Sequence, residues 1–323
     1  MLIMTRKGYA TMQSDGYQAA ELIPALSVAL DGIGLPDVGI SCCEGQGWSY
    51  ARDLLAEVQD AGAEGALSII TTHTYKGTPA KPDRPLNTTL PVWVTEISPI
   101  MDRLGMTQTW YRNHSENEGL LNAIHIHEAL TTGNVSAYIY WIGVGQSSAE
   151  APFIWAPNLK KNVTREDMWH AHDNNTVVQV GNGTTPYTIG STFWAAAQYS
   201  KFIRPGAKRI DVQASEEHPG LLVSAFRNEN GNWAVPVINN GDQPFEVVLD
   251  LNMGILRQAP REGCWIVPWL TNDEDKLQRV GRGWISVDDD DSPMTIPPRS
   301  IMTFEITLCN EDLWMPKLGG QGR

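Results

Sequence analysis

The chain has 323 residues and carries 37 acidic against 24 basic side chains, a net charge of −13. That length supports one large domain or two medium ones, each with its own core; the acidic balance, with no Lys/Arg cluster able to follow a phosphate backbone, excludes nucleic acid as a partner. No apolar run reaches the roughly 18 residues of a membrane span, and the opening MLIMTRKG is too short and polar for a signal peptide.

From about 15 to 206 helical and strand-like segments alternate. Residues 17–33 read as a helix despite Pro24, VGISCC (38–43) as an apolar strand, and SYARDLLAEVQDAG as an amphipathic helix with Ala51, Leu54, Leu55 and Val58 at helical spacing and Gly62 as its stop. LSIITTHTY (67–75) and VWVTEI (92–97) follow as strands, then a helix over 117–131, the strand VSAYIYWIG (135–143) and a helix over 191–203. Continuous apolar strands between helices are the pattern of a parallel sheet covered on both faces. Four strands fall short of the eight that close a (β/α)8 barrel. The segment is therefore either an open doubly wound sheet or the second half of a barrel.

After RPGAKRI (204–210) the pattern changes to short strands punctuated by NENG and NNGD, with alternation in FEVVLDL and in SIMTFEITL (300–308). This half predicts an antiparallel β-sandwich. The expected organisation is a partial barrel over 1–206, a sandwich over 207–312, and a loose tail over 313–323, LWMPKLGGQGR.

Polar and aromatic residues collect where the predicted strands end. Glu44 and Trp48 follow the first, His73 and Tyr75 end the second, Glu96 ends the third and Trp141 the last. In a (β/α)8 barrel those C-terminal ends line the cleft. Twelve Trp against six Phe suit sugar binding, since an indole face packs on the apolar face of a pyranose while its N–H reaches a hydroxyl.

The segments SCCEGQGW (41–48), TTHTY (71–75), WVTE (93–96), AYIYWIG (137–143), AAAQYSKFIRPGAKRI (195–210) and IPPRSIMTFEI (296–306), in this order, resemble fungal glycoside hydrolase family 30, and most of all its endo-β-1,6-galactanase-like and xylanase branch. The likeness runs from about residue 9 to 308. It implies a (β/α)8 barrel with a β-sandwich alongside, and a retaining mechanism with two glutamates. By this resemblance Glu96, ending the seventh strand, is the nucleophile, His73 and Tyr75 hydrogen-bond around it and keep it ionised, and Trp141 forms the floor of the subsite where the bond breaks. Glu44 stands where relatives usually have Asp in a CCDA-like segment, and is expected to contact substrate or loop, as is Trp48. The family's acid/base lies in an Asn-Glu-Pro segment upstream of the part matching GYATMQSDGYQAAELIPAL (8–26), so it is expected to be absent from this chain together with four strands and any signal peptide.

Several features read more plainly. HIHE (125–128) is not a metal site, because helix residues two apart point to nearly opposite faces. VDDDDSP lacks an EF-hand's alternation and glycine and reads as a solvated turn. The polar stretch 146–190 reads as a long loop over the cleft. Cys42 and Cys43 read as core residues, with a Cys264–Cys309 disulfide weakly supported. Six sequons, at Asn87, Asn113, Asn134, Asn162, Asn174 and Asn182, favour secretion of the full-length form.

The reading that emerges is a secreted, monomeric, metal- and cofactor-free retaining endoglycosidase acting on a β-linked wall polysaccharide, with β-1,6-galactan first, then xylan, then β-1,6-glucan. Its activity is impaired if the acid/base is missing. The alternative is a non-catalytic carbohydrate-binding remnant or inactive fragment.

Overall fold

The computed structural model describes residues 14–74, 82–97, 108–113, 118–146, 176–180, 186–213, 218–249, 264–281, 283–285 and 293–308. These cluster into two compact units, one formed by Met1–Gln108, Ser115–Asn117 and His125–Ser191, the other by Thr109–His114, Glu118–Ile124 and Thr192–Arg323.

The first unit begins with α1 (Gly16–Gly32), which tolerates Pro24 in its interior and starts with a capping box: Asp15 Oδ1 accepts from Gln18 N at 2.8 Å while Gln18 Oε1 accepts from Asp15 N. Then come β1 (Ser41–Gly45), α2 (Trp48–Asp60), β2 (Ile69–His73), β3 (Val92–Glu96), α3 (Gly119–Leu130), which belongs to this unit from His125 onward, and β4 (Ala137–Tyr138). The four strands form one parallel sheet in the order β1-β2-β3-β4. Order decides between the two architectures left open by the sequence. A doubly wound sheet reverses its strand order at a switch point, whereas here each strand adds on the same side of the one before, as in a barrel. The first strand lies later than VGISCC and the last is shorter than VSAYIYWIG.

One face of α2 packs the sheet. Trp48, Ala51, Leu55 and Val58 join Ile70, Val92 and Val94 in a single apolar cluster that also takes in Ile23 of α1. Cys42 belongs to this cluster and Cys43 packs against it, as expected for core residues, but the two are also joined to each other by a disulfide. The Cys264–Cys309 pairing lies outside the described residues.

Beyond β4 lies a small sheet of β5 (Val144–Gln146), β6 (Val178–Val180) and β7 (Tyr187–Ile189), with β5 parallel and β7 antiparallel to β6, the last two falling within the stretch 146–190 expected to be a loop.

In the second unit, β8 (Trp233–Asn239), β10 (Cys264–Thr271) and β12 (Ser300–Leu308) form the middle of an antiparallel sheet, and β9 (Phe245–Val247) pairs with β11 (Met294–Ile296) in a second one. Met302, Phe304 and Ile306 alternate along β12 into a core with Val235, Val237, Ile266 and Leu270. The opposite face is covered by α4 (Ser191–Ser200). Gln198 Nε2 donates to Thr271 Oγ1 at 2.8 Å and to the Trp269 carbonyl, and Thr303 Oγ1 donates to the Gln198 carbonyl. β8 is paired on both edges and is buried along its whole length. The docking of α4 on this sheet is why the compact units divide near Thr192, whereas the change of sequence pattern lies near 206. VDDDD of the acidic turn and the tail LWMPKLGGQGR lie outside the described residues.

Candidate functional site

Two irregularities in the parallel sheet build the site. The register of β1 against β2 slips between Cys43 and Gly45, making Glu44 the extra residue. The register of β2 against β3 slips at His73, which pairs with Glu96 and leaves Thr95 as the extra residue there. A bulge re-aims the side chain it carries. Here the two re-aimed side chains meet: Thr95 Oγ1 donates to Glu44 Oε2 at 2.5 Å. Glu44 has φ 59°, a left-handed backbone that a non-glycine residue adopts at a cost of order 1–3 kcal/mol.

His73 lies between two carboxylates. Its Nε2 is 2.7 Å from Glu44 Oε2 and its Nδ1 is 3.8 Å from Glu96 Oε1. The imidazole is buried, its side chain 6% exposed, while the two carboxylates are about a third open to solvent. The expectation that His73 hydrogen-bonds Glu96 is therefore corrected. Its hydrogen bond goes to Glu44, because the bulge swings that carboxylate over β2, and Glu96 receives an electrostatic contact at longer range. Tyr75 lies outside the described residues. Thr72 is fully buried beneath, its hydroxyl bonded to the carbonyls of Gly45 and His73.

Burial pushes the Glu44 carboxyl up, but the hydrogen bonds from His73, Thr95 and Thr71 outweigh it and lower its pKa to about 2. A general acid must hold a proton at the working pH. Glu44 is an ionised acceptor and is poorly suited to donate one.

Trp141 follows β4 at the same sheet edge, 42% exposed, with its backbone N–H bonded to the Ile97 carbonyl one residue beyond Glu96. Trp48, expected to contact substrate, is instead 5% exposed in the core. Sequence reasoning missed Thr95, and it missed the direct pairing of Glu44 with His73. No pattern in WVTE or SCCEG announces a bulge.

α3 carries His125 and His127 as expected for a helix. Burial lowers the His125 pKa to about 4 from its ordinary 6.5. Between those values the unfolded chain binds a proton that the fold refuses, so stability falls as pH drops from 6.5 to 4. For Glu44 the folded pKa is also depressed, from 4.5 to about 2, so its contribution is present above 4.5 and is lost as pH falls toward 2. The melting temperature is thus expected to decline continuously on acidification from pH 6.5. His125→Gln should flatten the upper limb and Glu44→Gln the lower; an unchanged upper limb in His125→Gln would contradict the assignment.

The family model for the glycosyl hydrolase family 30 beta sandwich domain matches residues 206–304. Glucuronoxylanase XynC of Bacillus subtilis is 24% identical over 209 residues, which are 63% of this chain and 39% of that protein's length. The catalytic domain of GH30 xylanase C from Talaromyces cellulolyticus is similar in structure with a TM-score of 0.71 at 29% identity, over 92% of this chain and 58% of that one. The glycoside hydrolase family 30 subfamily 8 xylanase Xyn30A from Clostridium acetobutylicum shares the fold, with a TM-score of 0.62 at 18% identity over 92% and 62% of the two chains. This chain thus spans less than two thirds of the length of each of these relatives. The sandwich is thus matched by a family 30 model of its own, and the chain as a whole is similar in sequence and structure to glycoside hydrolase family 30 xylanases.

Proposed function

We propose that this chain supplies the nucleophile side of a retaining endo-glycoside hydrolase acting on a β-linked wall polysaccharide. The observation that carries the reading is Glu96, a carboxylate about a third open to solvent at the C-terminal end of a barrel strand, with the buried His73 imidazole beside it. In the first step the Glu96 carboxylate attacks the anomeric carbon, the glycosidic C–O bond breaks, and the leaving oxygen takes a proton from a second carboxyl roughly 5–5.5 Å away. Water then attacks the same carbon, the ester to Glu96 breaks, and the second carboxylate takes the water's proton. Glu44 is held as an acceptor, so we assign the proton donor to the first half of the family's barrel. Trp141 offers an open indole at the same edge for a sugar ring.

Because relatives are named for xylan or glucuronoxylan, we take xylan as the first substrate to test. β-1,6-galactan, suggested by the resemblance of the dispersed segments, and β-1,6-glucan come next. An extracellular site of action fits the sequons, since Asn87, Asn113 and Asn134 are all exposed.

An aryl xylobioside with a dinitrophenyl leaving group tests the reading, because such a group departs without protonation and needs only the nucleophile. Release of dinitrophenol, and a 2-fluoro-xylobiosyl adduct on the Glu96 peptide by mass spectrometry, are expected. A folded chain that forms no adduct on Glu96 overturns the reading and favours the carbohydrate-binding alternative. EDTA is expected to leave the release rate unchanged, and clear inhibition would overturn the metal-free mechanism.

A further inference from the structure

Glu44 costs backbone strain, sits on a bulge, and spends its carboxylate on His73 and Thr95. The nucleophile reading assigns it no task. We propose that Glu44 is a positioning residue, acting through His73 to hold the tautomer and ring orientation that Glu96 meets. The proposal rests on the reading of Glu96 as nucleophile.

An ionised carboxylate has only lone pairs to offer. Glu44 therefore requires that His73 Nε2 carry a hydrogen and donate it across the 2.7 Å contact. Thr95 does the same from β3, its single hydroxyl hydrogen committed to Glu44 Oε2 at 2.5 Å in preference to the Thr72 carbonyl at 3.3 Å. The ring plane is then pinned between β1 and β3, and its other nitrogen, Nδ1, is left facing Glu96 Oε1 at 3.8 Å. With the ring hydrogen on Nε2, Nδ1 shows a lone pair to that oxygen, so the two acceptors repel and the ring limits how far Glu96 can lean toward it. The repulsion eases as charge moves off Glu96 toward the sugar, and a ring held in place therefore fixes where the carboxylate oxygen sits relative to the anomeric carbon. Misplacing such a group by about 1 Å costs roughly 10²-fold in rate.

Glutamine at position 44 keeps the shape and can turn an amide donor toward the imidazole, which removes the demand for a hydrogen on Nε2. The test compares wild type, Glu44→Gln and Thr95→Val in two measurements. Nitrogen-15 NMR of the ring reads the His73 tautomer without any substrate. The rate of 2-fluoro-xylobiosyl trapping, divided into its maximal rate and its half-saturating concentration, reads the first chemical step. Wild type is expected to show hydrogen on Nε2. Glu44→Gln should lose that preference and fall roughly 10- to 100-fold in maximal trapping rate with little change in half-saturation. Thr95→Val, which removes one donor and keeps the volume, should fall by less.

A Glu44→Gln rate within twofold of wild type, or an unchanged tautomer, overturns the proposal. If Glu44→Gln does not fold, Thr95→Val decides alone, and an unaltered trapping rate there overturns it. If wild type forms no adduct on Glu96 at all, the nucleophile reading fails, and so does the positioning role. The tautomer measurement separates that case from a loose ring.

Discussion

Glu96→Gln should lower dinitrophenyl xylobioside hydrolysis by on the order of 10⁴-fold or more and leave the melting temperature within a few degrees of wild type. Glutamine fills the same volume and accepts hydrogen bonds, so the end of β3 keeps its pairing with His73 across the register slip. What disappears is the anionic oxygen that attacks the anomeric carbon, and a neutral amide is a far weaker nucleophile. The side chain is about a third open, so the fold has little invested in its charge, which separates a chemical loss from a structural one. In Glu96→Gly, where the side chain is gone, exogenous azide should partly restore turnover by attacking the carbon from the vacated side, giving a glycosyl azide of inverted configuration. A loss of less than tenfold would remove Glu96 from the nucleophile role.

Trp48→Ala should cost about 3–5 kcal/mol of stability, read as a drop of roughly 10 °C in melting temperature. Trp48 opens α2 and is 5% exposed among Ala51, Leu55, Val58 and the strands. Its ring packs so closely on Gly133 that a Cβ there would lie 2.8 Å from Cη2. Alanine would leave a cavity that backbone on both sides prevents from collapsing. If the indole were instead a platform for a sugar ring, the substitution would raise the half-saturating substrate concentration and spare the melting temperature. Measured well below the transition, half-saturation for the xylobioside is expected to stay near the wild-type value.

Trp48 also shows how far the sequence was legible. Positions 48, 51, 55 and 58 share one helical face. The spacing that marked Ala51, Leu55 and Val58 as core therefore extended to Trp48, and the appeal of a tryptophan after a strand obscured it. Glu44, His73 and Glu96 were each marked correctly as strand-end residues, since an apolar run followed by a lone polar side chain is readable in one dimension. Their grouping was read less well, with His73 assigned to Glu96 when its hydrogen bond goes to Glu44.

Periodicity and residue type alone determined that this chain builds a parallel α/β unit followed by antiparallel strands, and which residues close the strands. Those signals are local, set by which side chains must face apolar neighbours over a few turns or a few residues. The choice between a wound barrel and a doubly wound sheet was decided by strand order, which involves residues far apart in the chain. The two bulges that turn Glu44 and Thr95 onto His73 were decided by how neighbouring strands slide to satisfy their ladders. Register is a property of pairs of strands, and no single strand's sequence contains it.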